Sequence, residues 1–150
     1  MNRIPWQTVK EGHFEVDLVC HRGEKEKGDF INTIQMVDVA TGWSELEAVM
    51  SKSYRVMEDG FQCILARLPF PIHELHPHNG SEFFNGHLLR FWGSRVQGLE
   101  LSRSRPYHKN EHRFVEESNH SLVRAYVGHE RLDTLQQLQV LRQLYQSLWL

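Results

Sequence analysis

Between Phe14 and Pro71 the sequence changes its hydrophobic period once, from about two to about 3.6, and this change constrains the fold more than any other feature. In Phe14-Glu15-Val16-Asp17-Leu18-Val19-Cys20, the residues Phe14, Val16, Leu18 and Cys20 alternate with Glu15, Asp17 and Val19. That is the period of a strand with one well-buried face, and it turns Asp17 away from the apolar row. Residues 21–29 (HRGEKEKGD) are charged with two glycines, a turn by composition. The run from Phe30 to Val39 is rich in strand-forming residues, and Ala40-Thr41-Gly42 before Trp43–Ala48 reads as a hairpin turn into a third strand. From Tyr54 to Leu68 the apolar residues Val56, Met57, Phe61, Ile64, Leu65 and Leu68 recur at helical spacing until Pro69 and Pro71 stop them.

Strands and helices then alternate. Pro71–His76 predicts a fourth strand, Pro77–Ser81 a turn, Glu82–Trp92 a second helix and Leu99–Ser102 a fifth strand. Val115, Leu122, Val123, Tyr126 and Val127 mark a third helix stopping near Gly128. A last helix over Asp133–Leu148 aligns Leu135, Leu138, Leu141, Leu144 or Tyr145, and Leu148. Three hairpin-linked strands followed by strand–helix alternation predict an α/β fold, a five-stranded mixed sheet with helices on both faces.

At 150 residues the chain has room for one core, with residues 1–12 as a polar lead-in and 13–150 as the domain. With 40% hydrophobic and 24% charged residues, disorder is disfavoured. Lys plus Arg number 17 against 19 Asp plus Glu, so any nucleic-acid binding must come from a local patch and not from bulk charge. Cys20 and Cys63 form neither a disulfide scaffold nor a metal-ligand pair, which suits a reducing cytoplasm, and free cysteine is usually a small buried hydrophobe. No apolar run approaches the ~18 residues a membrane span requires.

Four segments in order carry a more specific signal: Phe14-Glu15-Val16-Asp17; Val37-Asp38-Val39-Ala40-Thr41-Gly42-Trp43; Asn79-Gly80-Ser81-Glu82-Phe83; and Arg105–Asn110 running into Phe114-Val115-Glu116. Together they resemble the catalytic core of the integrase and insertion-sequence transposase family, over about residues 12–130. The element order matches the ribonuclease-H-like fold of that family. The resemblance implies DNA integration or recombination, a bacterial or mobile-element origin, double-stranded DNA as partner, a homodimer, and Mg²⁺ or Mn²⁺ as cofactor. Members of the family hold two divalent ions with three acidic residues, and Asp17 and Glu116 fall on the first and third of those positions. Periodicity alone does not separate Glu116 from Glu117; the Phe-Val-Glu pattern selects Glu116. Two ions about 4 Å apart activate the attacking oxygen and stabilise the leaving one, and such hard cations call for carboxylate oxygens.

The middle position departs from the pattern. Where the family has an aspartate before Asn-Gly-Ser, this chain reads His76-Pro77-His78-Asn79, so His78 stands at the second of the three ligand positions. Imidazole offers one neutral nitrogen, prefers Zn²⁺, Cu²⁺ or Ni²⁺, and cannot bridge two hard cations. The expectation is weak metal binding and impaired cleavage and strand transfer; the alternative is a non-catalytic nucleic-acid-binding or dimerisation module of the same fold. Recruitment of Glu74 or Glu82 instead is a poor fit, since Glu74 lies four residues back along the strand and Glu82 matches another family position. His73, His76 and His78 form H-x-x-H-x-H, but strand alternation and Pro77 argue against a zinc site.

Arg103, Arg105, Tyr107, His108 and Lys109 form a basic loop before Glu116, expected to hold DNA phosphates by charge-assisted hydrogen bonds. His120 and Arg124 follow Glu116 at four-residue steps, on one helical face that could track a DNA backbone. The leucine stripe of the last helix and the apolar surplus of the Tyr54–Leu68 helix both favour a dimer. Transposases of this type usually carry a DNA-recognition domain before the core, which the residues before Phe14 are too few to form, so the chain is expected to be part of a longer protein.

Overall fold

The structure, a computed structural model, describes residues 11–24, 27–77, 86–96, 98–101, 123, 127–128 and 130–147. The described strands are β1 (His13–Cys20), β2 (Ile31–Asp38), β3 (Ser44–Met50), β4 (Glu74–Pro77) and β5 (Glu100–Leu101), and the described helices α1 (Tyr54–Arg67), α2 (Gly86–Arg95) and α3 (Leu135–Ser147). They build one five-stranded sheet in the order β3-β2-β1-β4-β5. β1–β2 and β2–β3 pair antiparallel, while β1–β4 and β4–β5 pair parallel, so the sheet is mixed as the order of periods predicted.

Alternation sorts the side chains into two layers. Phe14, Val16, Ile34, Met36 and Val49 face α1 and α2 and pack with Met57, Phe61, Ile64, Leu88 and Trp92. Val19, Ile31, Leu46 and Ala48 face the other way and pack with Val123, Leu138, Leu141 and Tyr145. Helical cover on both faces explains why all eight residues of β2 are buried. Gly60 allows the close approach of α1, since a Cβ there would lie 2.6 Å from Ile34 Cδ1 and 2.8 Å from Val49 Cγ1.

The β2–β3 hairpin is built by Asp38. Its Oδ1 accepts the Gly12 N–H at 2.9 Å and the His13 N–H at 3.2 Å, and its Oδ2 accepts the Thr41 N–H at 2.9 Å. Gly42 completes the turn at φ 77°, a left-handed conformation open to glycine. The Asp38–Gly42 part of the family-like motif is therefore a structural turn that also anchors the start of β1.

Several element bounds differ from the sequence expectation. β3 runs on to Met50, β5 is only two residues, α2 ends at Arg95, and α3 spans Leu135–Ser147. β4 starts at Glu74 rather than Pro71 and includes Pro77, expected in a turn; Pro77 can end the strand because β5 pairs only with Glu74 and Leu75. Val19, assigned to the polar row of β1, is buried because the second face is also covered. The apolar surplus of α1 is taken up by the core, against which Val56, Leu65 and Leu68 are partly buried. Cys63 is exposed and not buried. Of the third predicted helix, Val123, Val127 and Gly128 are described; Val123 is buried and Gly128 has φ 80°.

Candidate active site on the β1 face

Asp17 sits in the middle of β1, half-buried, on the face covered by α3. Its Oδ1 accepts the Leu18 backbone N–H at 2.8 Å, which orients the carboxylate from the strand itself. Glu15, two residues earlier, shares this face and is 2% exposed. Across β2, the residue opposite Asp17 is Gln35, which is fully buried. On the other side, β4 pairs Glu15 with His76 and Val16 with Pro77.

That last pair bears on the middle position. β4 runs parallel to β1, and its final paired residue, Pro77, lies beside Val16, the residue before Asp17. Position 78 follows Pro77 in sequence just as Asp17 follows Val16. Glu74, by contrast, pairs with His13 and bonds its Nδ1 at 2.9 Å. It is four residues from the Asp17 level, roughly 13 Å at the rise of a strand. Glu74 therefore cannot replace a ligand beside Asp17.

The rest of the face is held by a buried polar chain. His21 Nε2 and Thr33 Oγ1 are 2.8 Å apart, and Thr33 Oγ1 and the Tyr145 hydroxyl 2.7 Å. This chain joins His21, just past β1, to the middle of β2 and to α3, fixing the helix over the sheet.

Of the candidate site residues, Asp17 alone is described; His78, Glu116, Arg103, Arg105, Tyr107, His108, Lys109, His120 and Arg124 lie outside the described residues. Glu82 lies outside them too. Among the described residues no three His, Cys, Asp or Glu side chains group as a metal site. His73 precedes β4 and is exposed, and His76 is half-buried. Sequence reasoning missed Glu15 and Gln35. The signal for Gln35 was an amide flanked by Ile34 and Met36, but its place opposite Asp17 depends on a register that residues 21–29 do not specify.

Asp17 supplies an anionic oxygen at an oriented, half-buried position, the donor type that a hard cation takes.

No family model matches the chain. It is 35% identical over 140 residues to the uncharacterised protein y4rM of Sinorhizobium fredii (strain NBRC 101917 / NGR234), covering 93% of this chain and 39% of that protein. Among solved structures it is similar to the catalytic core domain of BIV integrase, with a TM-score of 0.56 and 17% identity over 78% of this chain and 72% of the other. Among the described residues no helix is long and apolar enough to cross a membrane. The mixed five-stranded sheet with helices on both faces is the ribonuclease-H-like fold of integrase catalytic cores.

Proposed function

We propose that this chain is the catalytic-core domain of a DNA integration or transposition protein, with Asp17, His78 and Glu116 at the three ligand positions and phosphodiester cleavage impaired by His78. The carrying observation is the parallel pairing of β4 with β1, which ends at Pro77 beside Val16. It supports a site where the first and second ligand positions meet at neighbouring strands.

A divalent ion, when bound, supplies activation of the attacking oxygen and charge stabilisation of the leaving one. Asp17 and Glu116 would hold it. The protein's own share is orientation and binding: the Leu18 N–H fixes the Asp17 carboxylate, and the Arg103, Arg105, Tyr107, His108 and Lys109 loop, with His120 and Arg124, would hold DNA phosphates. A second reading, a non-catalytic DNA-binding or dimerisation module, is favoured by His78 itself. A homodimer fits either reading, since Leu135 and Val140 on α3 are 70% and 60% exposed.

Nicking of supercoiled plasmid DNA in Mn²⁺ or Mg²⁺ tests the proposal. The parent should nick weakly, and His78→Asp should raise the rate by orders of magnitude, because an anionic ligand returns to a preorganised electrostatic site. Glu116→Gln in the His78→Asp background should abolish the gain. If His78→Asp binds Mn²⁺ and DNA yet nicks no better than the parent, the non-catalytic reading holds.

A further inference from the structure

Gln35 lies in the middle of β2 with 0% of its surface exposed, and neither its amide nitrogen nor its amide oxygen has a hydrogen-bond partner among the described residues. A buried amide that has given up water without gaining a partner weighs against folding, and an apolar side chain of the same shape would remove that cost. The other residues on this face of β2 are Ile31, Thr33 and Val37. Two are apolar, and Thr33 is bonded to both His21 and Tyr145. Gln35 differs from all of them.

Its neighbours suggest why an amide stands there. Gln35 faces Asp17 on β1 and Leu46 on β3. Directly opposed residues of antiparallel strands point to the same side with Cβ atoms about 4.5–5.5 Å apart, within reach of a glutamine carboxamide directly or through one water. The Leu18 N–H already holds one oxygen of Asp17 from the strand backbone. An amide donor from β2 would hold the carboxylate from a second direction.

We propose that Gln35 is a positioning residue for Asp17: its carboxamide sets which carboxylate oxygen is presented to a divalent cation. The inference rests on the reading of Asp17 as a metal-holding carboxylate. It assigns Gln35 the part that outer partners of metal ligands play, which is orientation and tuning and not ligation.

The test uses the full chain with Gln35→Leu, Gln35→Met, Asp17→Asn and the double variant Asp17→Asn with Gln35→Leu. Fold stability is read by urea unfolding in metal-free buffer, and Mn²⁺ affinity by the electron paramagnetic resonance signal of free Mn²⁺. Both Gln35 variants should raise the unfolding midpoint and weaken Mn²⁺ binding about tenfold, the lower end of the loss caused by removing an outer partner. The double variant should bind Mn²⁺ no more weakly than Asp17→Asn alone, because the amide acts only through Asp17. If Asp17→Asn weakens Mn²⁺ binding but the Gln35 variants do not, Gln35 is only a tolerated buried amide and this inference falls alone. If Asp17→Asn leaves Mn²⁺ affinity unchanged, the reading of the site falls and takes this inference with it. A lower unfolding midpoint in both Gln35 variants would show that the amide has a structural partner, and would also overturn it.

Discussion

On the α1 face of the sheet, buried charged groups lie at the margins and are paired; on the α3 face, polar groups lie at the centre, next to Asp17. Glu45 and Glu47 belong to the α1 face at the β3 edge, where Arg67 bonds Glu45 at 3.0 Å and Glu47 at 2.7 Å. Arg67 also donates to the Leu46 carbonyl at 2.7 Å, and Arg142 to the Ala48 carbonyl at 3.0 Å. Two arginines thus occupy the outward carbonyls of an edge strand that would otherwise be open to pairing with another chain. Burial alone would lower the pKa of the Arg67 guanidinium, but its hydrogen bonds to Glu47 and Glu45 outweigh that and hold it above the ordinary value. Among the described residues, the buried side-chain atoms of the α1 face without a hydrogen-bond partner are the Trp92 indole nitrogen and Asn32 Oδ1. On the opposite face Glu15, Gln35 and Thr33 are buried within β1 and β2, and His21 is buried just past the end of β1. A face built only for packing has no use for such groups, and their concentration near one half-buried carboxylate fits the proposed site at Asp17.

This contrast can be broken from either side. The largest effect should come from Trp92→Ala, which empties the α1-face core where Trp92 packs edge-to-face on Phe61 at 4.9 Å. A loss of about 3–5 kcal/mol in urea unfolding is expected. Arg67→Ala should cost less, about 2 kcal/mol, because Glu45 loses its bonded arginine while Arg142 stays 3.2 Å from Glu47. A loss below about 0.5 kcal/mol would place Arg67 with ordinary surface ion pairs. The smallest effect should come from Tyr145→Phe on the α3 face. It removes the 2.7 Å bond to Thr33 but leaves Thr33 bonded to His21, for a loss of about 1 kcal/mol. If Tyr145→Phe instead matched Trp92→Ala, the α3 face would be the stability core and the contrast would fail.

How much of this could be read in the sequence follows the same division. The strand–helix order, the apolar row of β1, the hairpin at Thr41-Gly42 and the end of α1 before Pro69 are local patterns, and local patterns are legible. The place of Asp17 was legible because it stands in the polar row of that alternation, inside a family-like motif. The parallel pairing of β1 with β4, and the opposition of Gln35 to Asp17, were not. Both depend on the register between segments separated by loops of no fixed turn type, and such register is settled only when the strands pack. The burial of Glu15 escaped for a related reason: alternation marks which residues share a face but not whether that face is covered. Here the second face is buried as well.

The central claim is that Asp17 holds a divalent cation, and crystals soaked in a high concentration of Mn²⁺ test it most directly. The account predicts an anomalous scattering peak coordinated by a carboxylate oxygen of Asp17 in the parent, and a stronger one in His78→Asp. Both peaks should vanish in Asp17→Asn. Mn²⁺ bound elsewhere on the protein, with Asp17 bare in both the parent and His78→Asp crystals, would contradict it.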